Sequence, residues 1–301
     1  MRITNGMLSA TFMQDLNRNL RGLAKYQHQL ASGKRVSRPS DDPVAIVKSL
    51  RLRSDLGDIE QFVKNADHAL SWLSTTDIAL GQAGDILQRV NELAVQAANG
   101  TNPQQALDAI REEVGQLLEQ LVQVANTSQA GQYIFAGTAT KAKPFSLDPS
   151  TYTVSYAGNE AKRETEVGTN ITIPYNVTGM EAFYYDKDAG KTIFTVVQNL
   201  YVHLKSGDTA AISDQDLADL NQAIDHLLAV RAEVGARVNR LELTKSRLDD
   251  ANINFTDLLS KAEDMDVAQV IMELKNQENV YRAALATGAR IIQPTLVDFL
   301  R

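Results

Sequence analysis

The residues best equipped for chemistry are four histidines, His28, His68, His203 and His226, and two adjacent carboxylates, Asp41 and Asp42. A metal centre needs three or four converging ligands. No histidine here has a ligand-type residue three or four positions further on, so no such centre is expected. Asp41-Asp42 could serve as a general base or hold a cation, but Pro43 follows directly. Proline at the first helical position after an Asp marks a helix start, where free backbone N–H groups and the helix dipole already stabilise a carboxylate. Asp264-Met265-Asp266 reads in the same way, as a helix start or a kink. The chain has no Gly-x-Ser-x-Gly elbow, phosphate-cradling glycine loop or dinucleotide fingerprint. It has no cysteine, which removes disulfides, thiolate ligands and thiol nucleophiles. Neither catalysis nor a cofactor is expected.

The elements that would position these residues are long helices. From Pro43 the pattern runs to Ala98, before an Asn99-Gly100 stop. Within it, Ile59, Phe62, Ala66, Ala69, Leu73, Thr76, Leu80, Ala83, Leu87, Val90, Ala94 and Ala97 form one heptad seam, polar only at Thr76. At ~1.5 Å per residue such a helix reaches roughly 80 Å. Asn102-Pro103 opens a second helix with Ala106, Ile110, Val114, Leu117, Leu121 and Val124 on one side, fading near Gly131. A third starts at Ser213, with Asp216 as capping partner. Its seam runs through Leu217, Leu220, Ile224, Leu227, Arg231, Val234, Val238 and Leu241. It then takes an extra three-residue step to Thr244 before Leu248, Ala251, Phe255, Leu258, Ala262 and Met265. Such a step is a stammer. Arg231, the one charged seam residue, is placed at an exposed flank. Between the helices, 151–156, 170–174 and 182–185 read as strands, punctuated by Gly158, Gly168, Gly179 and Gly190, before a helix over 192–205. The fold class is therefore mainly α, an elongated helical bundle with terminal coiled-coil helices and a small β insertion at its distal tip. Three parts are expected: 1–41 with 265–301, 42–139 with 192–264, and 140–191.

Both ends carry apolar stripes. Met13, Leu16, Leu20, Leu23 and Leu30 share one; Val267, Ile271, Leu274, Tyr281, Leu285, Ile292, Leu296 and Phe299 share the other. Termini normally fray, but an apolar stripe must be buried against something. Each terminal helix can bury its stripe on the other terminus or on a neighbouring copy of the chain, and both routes point to assembly. Residues 1–38 hold seven bases and one acid, a net +6, and 256–301 hold seven acids and five bases, a net −2. Either the two arms attract one another or these are solvated faces, since exposed ion pairs contribute little. The whole chain carries −7, against a nucleic-acid-binding surface. The first residues lack the apolar core of a secretory signal, and no run is apolar enough for a membrane span.

The segment Leu30-Ala-Ser-Gly-Lys-Arg-Val-Ser-Arg-Pro-Ser-Asp-Asp-Pro-Val-Ala-Ile46 resembles the N-terminal segment of bacterial flagellins and their junction relatives. Asn276 to Leu285 and the ending Ile292 to Arg301 resemble the matching terminal helix, so that 1–138 and 193–301 are covered. Within this flagellin-like family, Ser37 to Pro43 (with Arg38, Pro39, Asp41, Asp42 and Pro43), Gly131-Gln-Tyr-Ile-Phe-Ala-Gly-Thr138 and the short insert favour the hook-associated protein 3 branch. The resemblance implies a structural subunit with no cofactor, exported through the flagellar type III channel without a cleaved signal. It implies a ring of identical subunits between the other hook–filament junction protein and flagellin, and an export chaperone on the C-terminal helix. A short flagellin that polymerises into the filament, an intracellular coiled-coil binding module and an enzyme acting through the β insertion are the competing readings.

Overall fold

The computed structural model describes residues 5–99, 102–186 and 189–291. Two compact units emerge, Met1–Asp58 with Ala251–Arg301, and Ile59–Asp250. The helices are α1 (Asn5–Ser32), α2 (Pro43–Ala97), α3 (Gln104–Ala125), α4 (Gly179–Phe183), α5 (Ile193–Ser206), α6 (Thr209–Ala211), α7 (Leu217–Glu263) and α8 (Val267–Ile291). Four antiparallel two-stranded ribbons lie between α3 and α5: β1 (Ser128–Gln129) with β2 (Gln132–Tyr133), β3 (Phe145–Leu147) with β4 (Val154–Tyr156), β5 (Glu164–Gly168) with β6 (Ile171–Pro174), and β7 (Tyr184–Asp186) with β8 (Lys191–Thr192). The fold is mainly helical with a small β region.

The α2 seam is buried throughout the 59–250 unit. From Ala66 to Ala97 each of its members is fully covered, and only Phe62 is half-buried. Thr76 satisfies its hydroxyl on the Trp72 carbonyl at 2.9 Å, so the one polar member costs little. On α3, Val114, Leu118, Leu121 and Ala125 are fully buried, and the helix ends at Ala125 instead of near Gly131. Asn126 stops it by turning its side-chain amide onto the Phe145 and Val122 carbonyls. The Gly131–Thr138 segment instead drives Ile134, Phe135 and Ala136 into the core. Phe135, Phe145, Phe183 and Phe194 stack there with centroids 5.0–5.2 Å apart.

The β region packs against α2 of this unit. Asn65 donates to the Glu166 carbonyl, and Gln129 reaches Ser71. The Arg163 guanidinium lies 4.8 Å from the Trp72 ring and 5.2 Å from Tyr175. This cation–π sandwich pins the β5–β6 ribbon to α2.

Four expectations change. Residues 182–185 are not one strand. Thr178 and Glu181 form a capping box that starts α4, and the strand begins only at Tyr184. The helix predicted from Ser213 starts earlier. Asp208 caps α6, and 212–216 form one π-helical turn leading into α7. Asp216 is therefore not a cap. It is buried and accepts from or donates to His203 Nδ1 at 2.7 Å, and burial raises its carboxyl above the ordinary range despite that bond. Finally, the stammer is absent. Leu220, Leu227, Val234, Leu241 and Leu248 keep an unbroken seven-residue repeat, with Arg231 and Lys245 in the intervening seam positions. Neither cation is a stray. Arg231 grips Asp77 of α2 with two bonds of 2.8 and 3.3 Å, and Lys245 reaches Asp67 at 2.5 Å.

Candidate assembly interface

In the other unit, α1 is rich in unbranched helix formers and stops at Gly33, whose φ of +71° supplies the left-handed turn after Ser32. Asp42 then caps α2, accepting from the Val44 and Ala45 amides at 3.1 and 3.0 Å, with Pro43 in the first turn. Asp41 closes the preceding turn through the Arg38 amide at 3.2 Å. Arg38 and Pro39 are exposed on that turn. Asp266 caps α8 through the Gln269 amide at 3.1 Å.

Helices α1 and α8 run antiparallel. Near one end, the backbones of Lys34 and Asp264 form an isolated antiparallel β-bridge, and the Met265 amide donates to the Gly33 carbonyl at 3.3 Å. Midway, Gln277 Nε2 donates to the Asn19 carbonyl at 3.3 Å. Further along, the Phe12 ring lies over Gly288, where a Cβ would collide with it. The half-buried or buried residues trace the seam as Phe12, Leu16, Asn19, Leu23 and Tyr26 against Val270, Leu274, Gln277, Tyr281, Ala284 and Gly288. Of the predicted stripe, Leu16, Leu23, Leu274 and Tyr281 thus face the partner helix. Met13, Leu20, Leu30 and Leu285 do not; they are 49, 40, 38 and 45 % exposed. Ile292, Leu296, Phe299 and Gly100 lie outside the described residues. The in-chain seam includes Asn19, Gln277 and Gly288, which apolar counting missed. Their signal is a heptad shared with Leu16 and Tyr281.

A buried clasp joins the two loops beneath this pair. The Glu263 carboxylate, 5 % exposed, takes Lys34 Nζ at 2.9 Å, Arg53 at 2.6 Å and the Ser49 hydroxyl. The Arg35 amide donates to the Glu263 carbonyl at 2.6 Å, and Gln29 donates to the Arg35 carbonyl at 2.7 Å. Burial alone would raise the Glu263 carboxyl; bonds from Arg53, Lys34 and Ser49 outweigh it and hold it at about 2. Sequence reasoning passed over Glu263 because nothing local distinguishes it.

The histidines occupy separate surroundings. His203 pairs with Asp216, His226 Nε2 contacts the Glu181 carbonyl at 2.9 Å, and His68 packs edge-on to Tyr175 at 5.6 Å. Among the described residues, no group of three potential ligands could hold a metal, and no helix is long and apolar enough to cross a membrane.

The family model for the bacterial flagellin N-terminal helical region matches residues 3–140. The chain is 28% identical to flagellin of Bacillus subtilis, over 97% of each chain. It is 26% identical to flagellar hook-associated protein 3 of Escherichia coli, over 94% of this chain and 95% of that one. Along nearly its whole length the chain is thus similar to a flagellin and to a hook-associated protein 3, and its first 140 residues carry the flagellin N-terminal pattern. The crystal structure of hook-associated protein 3 from Legionella pneumophila superposes with a TM-score of 0.63 at 20% identity, covering 70% of this chain and 97% of that one, and so shares its fold.

Proposed function

We propose that this flagellin-like protein is the structural subunit of the hook–filament junction, forming a ring between the hook-proximal junction protein and the first flagellin layer. One observation carries the reading. Once α1 and α8 have paired within the chain, Met13, Leu20, Leu30, Ile271, Met272, Val280 and Leu285 still face outward. Exposed apolar stripes on helices at both ends of a chain suit burial by neighbouring copies. End-to-end similarity to hook-associated protein 3 supports the junction, and the short insert is consistent with it. Residues 1–41 with 265–301 act as the assembly part in this reading. Residues 42–139 with 192–264 act as the helical body and 140–191 as an outer insertion. Export without a cleaved signal and a chaperone on α8 belong to the same proposal, since the outward face of α8 would otherwise aggregate before assembly.

Deleting the gene tests it. Bare hooks carrying the first junction protein, with flagellin released into the medium, are expected, and normal filaments in the null strain overturn the reading. The similarity to Bacillus subtilis flagellin sustains a second reading, a short filament flagellin. Seeded polymerisation separates them, because long filaments of this protein alone would establish the second.

A further inference from the structure

The structure assigns a basic groove beside α1 as a docking site for an acidic helix face on a second copy of this chain. The groove, about 290 Å³, is lined by Arg21, Lys25 and His28 of α1 and by Arg38 and Asp41 of the following turn. All five are exposed. The one acid is committed, because Asp41 accepts from the Arg38 amide. Among the described residues, Arg21, Lys25 and Arg38 make no ion pair, whereas Lys34, Arg53, Arg89, Arg111, Arg231 and Lys245 all do. Three free cations around one groove create a local positive field that a carboxylate-bearing surface would enter favourably.

Charge is divided between the two units in a way that names the occupant. Residues 1–58 with 251–301 hold 15 bases and 12 acids, a net +3; residues 59–250 hold 15 bases and 25 acids, a net −10. The assembly unit of one copy is therefore attracted to the other unit of its neighbour. Within that acidic unit, Asn239, Glu242, Ser246 and Asp249 lie exposed on one face of α7, flanked by Asp250 on one side and on the other by Lys245, which is already engaged by Asp67. Glu242 and Asp249 are seven residues apart, as are Arg21 and His28, with Lys25 between. Both spacings correspond to about 10.5 Å along a helix, so the two charge sets match when the helices lie side by side. The inference rests on the proposed self-assembly and names the surfaces that would carry it.

Isotope-labelled and unlabelled full-length protein are mixed under assembling conditions and treated with a carbodiimide, which joins Lys25 to any contacting carboxylate. Mixed-isotope links from Lys25 to Glu242, Asp249 or Asp250 are expected, and they fade with added salt. The double variant Arg21→Glu, Lys25→Glu should weaken association about tenfold at low ionic strength. Mixing it with a Glu242→Lys, Asp249→Lys copy should restore association. All four side chains are exposed, and circular dichroism verifies that each variant is folded. Wild-type assembly without Lys25–α7 links, or charge-reversed copies that associate normally, overturns the assignment and leaves the junction reading standing. A wild-type chain that neither associates nor rescues the null strain overturns both.

Discussion

Glu263 shows how much one residue can organise without any sequence signature. Its carboxylate meets Lys34 from the α1–α2 loop and Ser49 and Arg53 from α2, while its carbonyl takes the Arg35 amide. Its partners are more than 200 positions away in the chain, so only the fold reveals them. Because its folded value, about 2, lies below the ordinary glutamate value of 4.5, the clasp stabilises fully above pH 4.5 and is lost as pH falls toward 2. Glu263→Gln should destabilise the terminal unit by about 2 kcal/mol near neutrality, since it leaves two cations without their counter-charge. Urea unfolding across pH checks this, with the wild-type advantage shrinking between pH 4.5 and 2; a constant difference would show the carboxylate is not the cause. The Asp41-Asp42 pair lay at the opposite extreme. Its capping geometry is local, so adjacent residues announced it. Asp216 had the same appearance in sequence but is buried against His203, because a π-helical turn carries it inward.

At the scale of elements, seam positions were legible where apolar residues alone define the repeat, as along α2 from Ala66 to Ala97. They were misread where the seam is polar. On α7, the reading stepped onto the smaller, uncharged Thr244, although Lys245 keeps the heptad and is neutralised by Asp67. Lys245→Leu should therefore raise the melting temperature by a few degrees, because an exposed pair gives up little and a seam position gains burial. A clear fall in thermal denaturation would show that the ion pair itself holds the register. Capping-box Thr178 and Glu181 were readable as a helix start, but the aromatic run after them imitated a strand. The α1–α8 pair depends on a small residue instead. Gly288→Val would place a branched side chain against Phe12 and should separate that end of the pair, despite the better helix propensity of valine. Loss of junction assembly with an unchanged main thermal transition is the expected readout; wild-type assembly would mean the Phe12 contact is dispensable.

For the whole molecule, buried apolar surface is divided unequally between the two units. The 59–250 unit has a continuous core from Ala66 to Leu241, including four phenylalanines no more than 2 % exposed. Among the described residues of the other unit, the buried apolar side chains are Val36, Leu52, Ala262 and Val270. A two-helix pair with so small a core gains little stability from burial, and isolated helices are marginal in water. The terminal unit should then melt first and become stable only when neighbouring copies cover its outward stripes, with their burial offsetting the ordering cost. Scanning calorimetry of the isolated full chain is expected to show two transitions. In a chain trimmed to residues 42–264, the lower transition should vanish and the upper should move by no more than a few degrees. Added assembly partners should raise only the lower transition of the full chain. One cooperative transition that collapses on trimming would mean that the termini support the body, and their role as separately ordering assembly arms would fall.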